Sequence, residues 1–144
     1  MALSFSQLRS AVSSQIADLA GFHLIKMPPA YFGRTQQTIS HLGFTVGISS
    51  TQQTDERQRR NNGYYINSVV LVVFMYRLRP ADLYPTDYDL CMDKEQLVIN
   101  KVLSSYSSIQ SEVQIRYNST ERQISDSMEY MITSITFNTL HTIN

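Results

Sequence analysis

The strongest hydrophobic pattern in the chain lies between Gly63 and Pro80. Its even-numbered positions are almost all apolar from residue 64 to residue 78, and from 69 to 75 the odd-numbered positions are apolar too. Successive strand side chains point to opposite faces of a sheet, so the pattern predicts a strand that is covered on both faces. The β-branched and aromatic content favours a strand over a buried helix. We expect helices on one face and a helix or another subunit on the other.

An amphipathic helix is predicted near the start of the chain. Ser4 and Gln7 have the spacing of a capping box, and Gly21 is suitably placed as the C′ residue. Between them, apolar residues recur at helical spacing and form one stripe: Leu8, Val12, Ile16 and Leu19. The helix is therefore expected to cover a sheet.

A second helix is predicted after Pro80, with Thr86 or Asp87 as its N-cap. Asp87, Asp89 and Asp93 lie at its start, where carboxylates favour the helix dipole. Capping explains these acids better than a Mg²⁺ or Ca²⁺ site, because no calcium-loop spacing is present. The expected apolar face consists of Leu90, Leu97, Val98 and Val102, with Cys91 as a further member.

Three further segments alternate as strands do. Residues 38–48 predict a half-buried strand, and 113–117 predict another that ends in a turn at 118–120. Residues 128–141 change phase near Thr133, which indicates a bulge or a strand that faces two layers. Residues 22–27 form only a short apolar segment before two prolines. The sequence thus predicts an α+β fold, an antiparallel four-stranded sheet with helices on one face in the order α-β-β-α-β-β.

The connection from Ser49 to Gly63 contains no hydrophobic residue. Long polar connections inside a compact domain are usually functional or disordered. If the flanking strands are antiparallel neighbours, this arm is the tip of a projecting β-hairpin. Arg57, Arg59 and Arg60 lie near its end and suit contacts with a neighbouring subunit or partner. A solvated loop with a few charges is the alternative.

Composition narrows the functional classes. The 144 residues indicate one domain, 1–144, and twelve basic residues balance twelve acidic ones, unlike the basic excess of most DNA-binding domains. A single cysteine excludes a disulfide framework and a cysteine-rich zinc site. The three histidines have no metal-ligand spacing, and the common nucleotide-binding and hydrolase motifs are absent. We expect no enzyme, no cofactor, no metal and no membrane segment.

Charged residues cluster around the end of the central strand. Arg77 and Arg79 lie beyond its apolar run, and three carboxylates follow in the sequence: Asp82, Asp87 and Asp89. We expect the arginines near a subunit boundary, paired with these acids from the same chain or a neighbouring one. Simple solvation at a strand end is an equally good interpretation.

The order of these features resembles the tail terminator proteins of long-tailed bacteriophages. The similarity rests on a polar loop, an apolar strand ending Tyr-Arg-Leu-Arg-Pro-Ala-Asp at 76–82, and Asp-Tyr-Asp-Leu-Cys-Met-Asp-Lys-Glu at 87–95. It covers roughly residues 44–103 and, more loosely, the whole chain.

The resemblance implies a homo-oligomeric ring, hexameric in that family, at the head–tail junction of a virion assembled in the host cytoplasm. Such a ring stops polymerisation of the tail tube protein and presents a surface to the head-completion protein, and DNA passes through its lumen without specific binding. Another neck protein, a head-completion or tail-completion connector, is the alternative, followed by a small nucleic-acid-binding module.

Overall fold

The fold is a five-stranded sheet with two helices, seen in a computed structural model that describes residues 3–25, 41–53, 64–79, 83–104, 114–125 and 128–143. The strands are arranged in the order β1-β2-β3-β5-β4. Along the chain the elements are α1 (Phe5–Ala17), β1 (His23–Leu24), β2 (Gly43–Gln53), β3 (Tyr64–Arg77), α2 (Tyr84–Ser104), β4 (Gln114–Ile124) and β5 (Tyr130–Ile143).

The prediction of an antiparallel four-stranded sheet is wrong, because the sheet is mixed and has a fifth strand. β1 pairs in parallel with the start of β2, His23 opposite Gly43 and Leu24 opposite Phe44. Two residues are too few to show the alternation by which a strand is recognised in a sequence. β1 is held instead by backbone hydrogen bonds, as the Ile25 N–H donates to the Phe44 carbonyl at 2.8 Å.

Two residues with positive φ shape the chain around β1. The capping box of Ser4 and Gln7 is confirmed, but α1 ends at the C-cap Asp18, so Gly21 is not its C′ residue. Gly21 has φ +86° in the turn that follows, and a Cβ there would lie 3.0 Å from Cδ1 of Leu42. Leu42 itself has φ +59°, and its N–H donates to the Met75 carbonyl at 2.7 Å. Leu42 thereby links the start of β2 to β3.

β3 is the central strand, and both helices pack on one of its faces, as predicted. It is antiparallel to β2 on one side and to β5 on the other. Its buried even-numbered residues join the buried stripe of α1 and the inner face of α2 in one core: Val70, Val72, Phe74 and Tyr76 with Leu8, Val12, Ile16, Cys91, Val98 and Val102.

A smaller cluster lies on the opposite face of the sheet. Val73 and Met75 are buried there, and Ile25, Leu71, Tyr130 and Ile132 pack against them. The prediction that β3 is covered on both faces is therefore confirmed at Val73 and Met75.

β4 and β5 differ from their predicted forms. β5 continues without a phase change, and its odd-numbered residues from Met131 to His141 are buried. The sequence suggested a change of phase because two buried positions of this strand, where apolar residues are expected, are occupied by Thr133 and Thr139. The predicted turn at 118–120 is instead a β-bulge, and β4 continues to Ile124. Ser119 and Thr136 are hydrogen bonded across it, Oγ to Oγ1, at 2.8 Å.

The polar connection after β2 begins later than predicted. Ser49–Gln53 belong to β2 and pair antiparallel with β3, as far as Gln53 opposite Ile66. The predicted antiparallel pairing of these two strands is confirmed. The described part of the hairpin does not project, because β5 accompanies β3 as far as Tyr64. Residues 54–63 lie outside the described part of the chain.

α2 begins at Tyr84, before the predicted N-cap, and turns a different face inward. Its buried residues are Asp87, Cys91, Glu95, Val98 and Val102. Leu90 and Leu97, predicted to belong to the core, are exposed at 40% and 47%. A helix has 3.6 residues per turn, so turning Asp87 and Glu95 toward the core moves these two leucines to the flank. The two acids can be buried because each has an arginine partner.

Candidate interaction surfaces

The structure brings together only one of the charged pairs predicted from the sequence. Arg79 and Asp87 form an ion pair, whereas Arg77 and Asp89 are exposed and form none with another described residue. The remaining predicted contact residues lie outside the described ranges: Arg57, Arg59, Arg60 and Asp82.

Asp87 connects the end of β3 to the first turn of α2. Its Oδ2 accepts the backbone N–H of Arg79 at 2.7 Å, and its Oδ1 accepts from the Arg79 guanidinium Nη2, also at 2.7 Å. The carboxylate is buried, with 3% of the side chain exposed, while the arginine side chain is 52% exposed. These side-chain and backbone hydrogen bonds from Arg79 lower the pKa of Asp87. The pair therefore has a role within the monomer, orienting α2 against the sheet.

Replacing Asp87 with asparagine is expected to lower the thermal unfolding midpoint at pH 7. The folded-state pKa lies below the ordinary value of 3.8, so the carboxylate stabilises the fold above that pH and loses its effect as the pH falls through the folded pKa. The difference between variant and wild type should therefore shrink below about pH 4. Calorimetry across pH measures this. Asp89→Asn is the matched control, at an exposed position of the same helix beyond its first turn. It should change the midpoint much less, because it removes only a small interaction with the helix dipole.

A second forked ion pair, missed in the sequence, joins α2 to β4. Arg122 Nε donates to Glu95 Oε1 at 2.8 Å, and its Nη2 donates to Oε2 at 2.7 Å. The two residues are 27 positions apart, so no local spacing signals the contact. Because both oxygens of the buried carboxylate are satisfied, Glu95 can occupy the inner face of α2.

His141 is the centre of a buried polar network. Its Nδ1 donates to the Leu3 carbonyl at 2.9 Å, which leaves Nε2 to accept from the Ser68 hydroxyl at 2.7 Å. Phe5 packs edge-on against the ring. Burial lowers the pKa of His141, opposed by the hydrogen bond to Leu3. The network attaches the segment before α1 to β3 and β5, so this histidine has a structural role.

Cys91 and His41, two further side chains with possible reactivity, also make contacts that stabilise the fold. Cys91 is buried, its Sγ lies 3.6 Å from Thr133 Oγ1, and burial raises the pKa of its thiol. His41 Nδ1 accepts the backbone N–H of Arg77 at 3.1 Å, and its ring contacts Tyr76 edge-on. Within the described ranges no three His, Cys, Asp or Glu residues are grouped to hold a metal ion. None of the helices described has the length and apolarity needed to cross a membrane.

The three central strands are almost free of charge. Among the residues of β2, β3 and β5 there is no Asp, Glu or Lys, and Arg77 at the end of β3 is the single Arg. On the face away from the helices, the positions of β3 and β5 beyond the small cluster are half-buried. Apart from Tyr65 and the buried Thr142, they are small, amide or aliphatic residues: Asn67 and Val69 on β3, and Ser134, Thr136, Asn138 and Leu140 on β5. Among the described residues, the charged side chains on this face are Arg77 at the end of β3, and Arg116 and Glu121 of β4, which lie opposite Asn138 and Ser134 of β5. This sheet face therefore has few charges and little net charge.

The two edges of the sheet differ. β4 forms one edge, is exposed along most of its length, and has a bulge together with three charged residues: Arg116, Glu121 and Arg122. Charges and bulges of this kind protect an edge strand from unwanted pairing. At the other edge, β1 pairs with only the first two residues of β2. β2 also has a bulge, between Ile48 and Ser50, but it has no charged residue or proline.

Besides Phe5, Leu24, Tyr117 and Ile124, apolar side chains are left exposed along α2, just before it, and at the β4–β5 turn. Leu83, Leu90 and Leu97 follow one another at seven-residue intervals. Near Leu97 a shallow groove of about 540 Å³ is lined by Leu19, Leu97, Asn100, Lys101, Leu103 and Ser104. Met128, at the β4–β5 turn, is 73% exposed. The sequence pattern had placed Met128 on a strand face and Leu97 in the core.

No protein-family model and no curated protein sequence matches this chain. The resemblance to tail terminators therefore stays a prediction from the sequence.

Proposed function

We propose that this chain is a structural subunit of a ring at the head–tail junction of a long-tailed bacteriophage, of the tail terminator type. In this proposal the ring caps the tail tube, stops its polymerisation and presents a surface to the head-completion protein. The chain acts by assembly, and no residue is assigned a catalytic role.

The observation that carries the proposal is the nearly charge-free set of central strands, with Arg77 as the single charged residue of β2, β3 and β5. Proteins that hold DNA neutralise its phosphates with lysine and arginine. A ring that lets DNA pass needs a wall without such contacts. The sheet face away from the helices comes close to that requirement, because among the described residues β3 and β5 contribute only Arg77 to it and β4 adds one basic and one acidic residue, Arg116 and Glu121. A nucleic-acid-binding module would need a basic face.

The surface charges suit contacts with other proteins. Arg79 and Asp87 are paired with each other, so we no longer assign them to a subunit boundary. Arg77 and Asp89 remain proposed contact residues, as do Arg57, Arg59, Arg60 and Asp82 by sequence. In this proposal each copy contacts the next through two unlike surfaces, and head-to-tail contacts of this kind generate a closed ring when their rotation closes.

Purified protein is expected to form a closed oligomer, alone or on the end of a tail tube. Light scattering coupled to size-exclusion chromatography measures the mass, and negative-stain electron microscopy shows the ring. Added to polymerising tube protein, the chain should shorten the tubes in proportion to its concentration. A monomer under both conditions would contradict the proposal. An oligomer that binds the head connector and leaves tube growth unchanged would indicate a different neck protein.

A further inference from the structure

Met128 occupies a position that neither its backbone nor its side chain favours within the monomer. It has φ +62°, a conformation that glycine and asparagine adopt far more readily than residues with long side chains. Its thioether side chain is 73% exposed, the highest exposure among the large apolar residues described. Both the local backbone preference and the hydrophobic effect would be better satisfied by another residue here.

The turn holds Met128 in a defined place. The Met128 N–H donates to the Ser125 carbonyl at 2.9 Å, and the Ser125 N–H donates to the Tyr130 carbonyl at the same distance. The Tyr130 N–H also donates to Ser125 Oγ at 3.2 Å. Because these hydrogen bonds restrain the backbone at Met128, its insertion into a partner surface would cost mainly the rotamer freedom of the Met128 side chain itself.

The groove at the end of α2 has the chemistry to receive such a side chain. Its apolar lining consists of three leucines. Leu97 and Leu103 belong to α2, and Leu19 lies in the segment that follows α1. Methionine is unbranched and polarisable, and it fills shallow irregular sites well. The described lining has one charged residue, Lys101, while Met128 is followed directly by the exposed Glu129. The side chain of Met128, which we call the knob, and the groove are therefore complementary in hydrophobicity, and the charged residues beside them, Glu129 and Lys101, are of opposite sign.

We propose that Met128 of one copy inserts into the groove of Leu19, Leu97 and Leu103 on the next copy, with Glu129 near Lys101. The proposal rests on the proposed ring and names the contact that joins its subunits. Because the knob and the groove are different surfaces of the chain, the contact is head-to-tail, and an open row of copies has one free knob at one end and one free groove at the other until the ring closes.

Two variants test the contact. Met128→Asn is expected to raise the unfolding midpoint of the monomer, because asparagine tolerates positive φ, and to weaken subunit association at least about tenfold. Leu97→Glu should weaken association similarly and leave the unfolding midpoint unchanged, since Leu97 is 47% exposed. Leu24→Glu, at an equally exposed leucine of β1, is the control and should assemble as the wild type does.

Mixing the two variants gives the decisive result. Met128→Asn retains an intact groove and Leu97→Glu retains an intact Met128, so the mixture should form one-to-one dimers and stop there. Sedimentation velocity distinguishes dimers from rings and monomers. If the wild type assembles and Met128→Asn assembles equally well, this contact is wrong while the proposed ring stands. If the wild type stays monomeric with and without tube protein, both proposals fail. A mixture that remains monomeric also overturns the head-to-tail contact.

Discussion

Replacing Phe74 with alanine is expected to lower the free energy of unfolding by about 3–5 kcal/mol. Phe74 is fully buried on the helix-facing side of β3, and Phe22 packs edge-on against it at 5.5 Å between ring centroids. Truncation removes the apolar burial and leaves a cavity between the sheet and the helices. Chemical denaturation monitored by circular dichroism measures the loss. So large a loss is a substantial part of the stability of an ordinary domain.

Val69→Ser is the matched change on the opposite face of the same strand. Val69 is half-buried on the sheet face away from the helices and lies outside the apolar core, so its replacement should cost less than about 1 kcal/mol. Equal losses for Phe74→Ala and Val69→Ser would mean that the two faces of β3 are equally packed in the monomer. In that case the face away from the helices would not be available for function.

The second large effect is expected at His141. Substitution by leucine keeps an apolar side chain of moderate size but leaves the Ser68 hydroxyl and the Leu3 carbonyl without their partner. Each buried polar group deprived of its hydrogen bond costs about 1–3 kcal/mol, so we expect a loss of about 2–5 kcal/mol. Urea denaturation at neutral pH measures it. The double change Ser68→Ala with His141→Leu should be less destabilising, because only the carbonyl then lacks a partner.

The pH dependence of stability provides an independent check on His141. Its folded-state pKa lies below the ordinary value of 6.5, so the unfolded chain takes up a proton first. Wild-type stability should be fully retained above about pH 6.5 and decrease as the pH falls below it. The His141→Leu variant lacks this contribution, so its stability should change less over the same interval. Parallel curves for the two proteins would contradict the buried, neutral histidine.

Local patterns in the sequence were sufficient to predict several of the helices and strands. Ser4 and Gln7 identified the start of α1, because a capping box is formed within four consecutive residues. The alternation from 64 to 78 identified β3 and its two apolar faces, since strand side chains alternate whatever the neighbouring strands are. β2 was predicted to be its antiparallel neighbour because a single polar connection joins the two strands, and this pairing is confirmed. The cap and the alternation depend on residues close together in the chain.

Other elements were decided by contacts between distant residues. β1 is a strand only because Leu42 and Phe44 offer it backbone partners. Thr133 could be buried in β5 because Cys91 of α2 lies beside it, and the sequence pattern therefore suggested a break that does not exist. The bulge at 117–119 was mistaken for a turn, since Asn-Ser-Thr is a common turn sequence and only pairing with β5 shows that the strand continues.

The candidate surfaces, too, could be predicted only in part from the sequence. The sequence by itself determined that the central strands are nearly uncharged, that no common catalytic motif is present, and that Arg79 has carboxylates within reach. Only the tertiary structure decided that Arg79 binds Asp87, that Arg122 neutralises Glu95, and that Leu97 is therefore left on the surface. The physical reason is that α2 rotates to satisfy two buried carboxylates. An arginine on β4, far away in the sequence, makes one of those burials possible and thereby sets which leucines of the helix face outward.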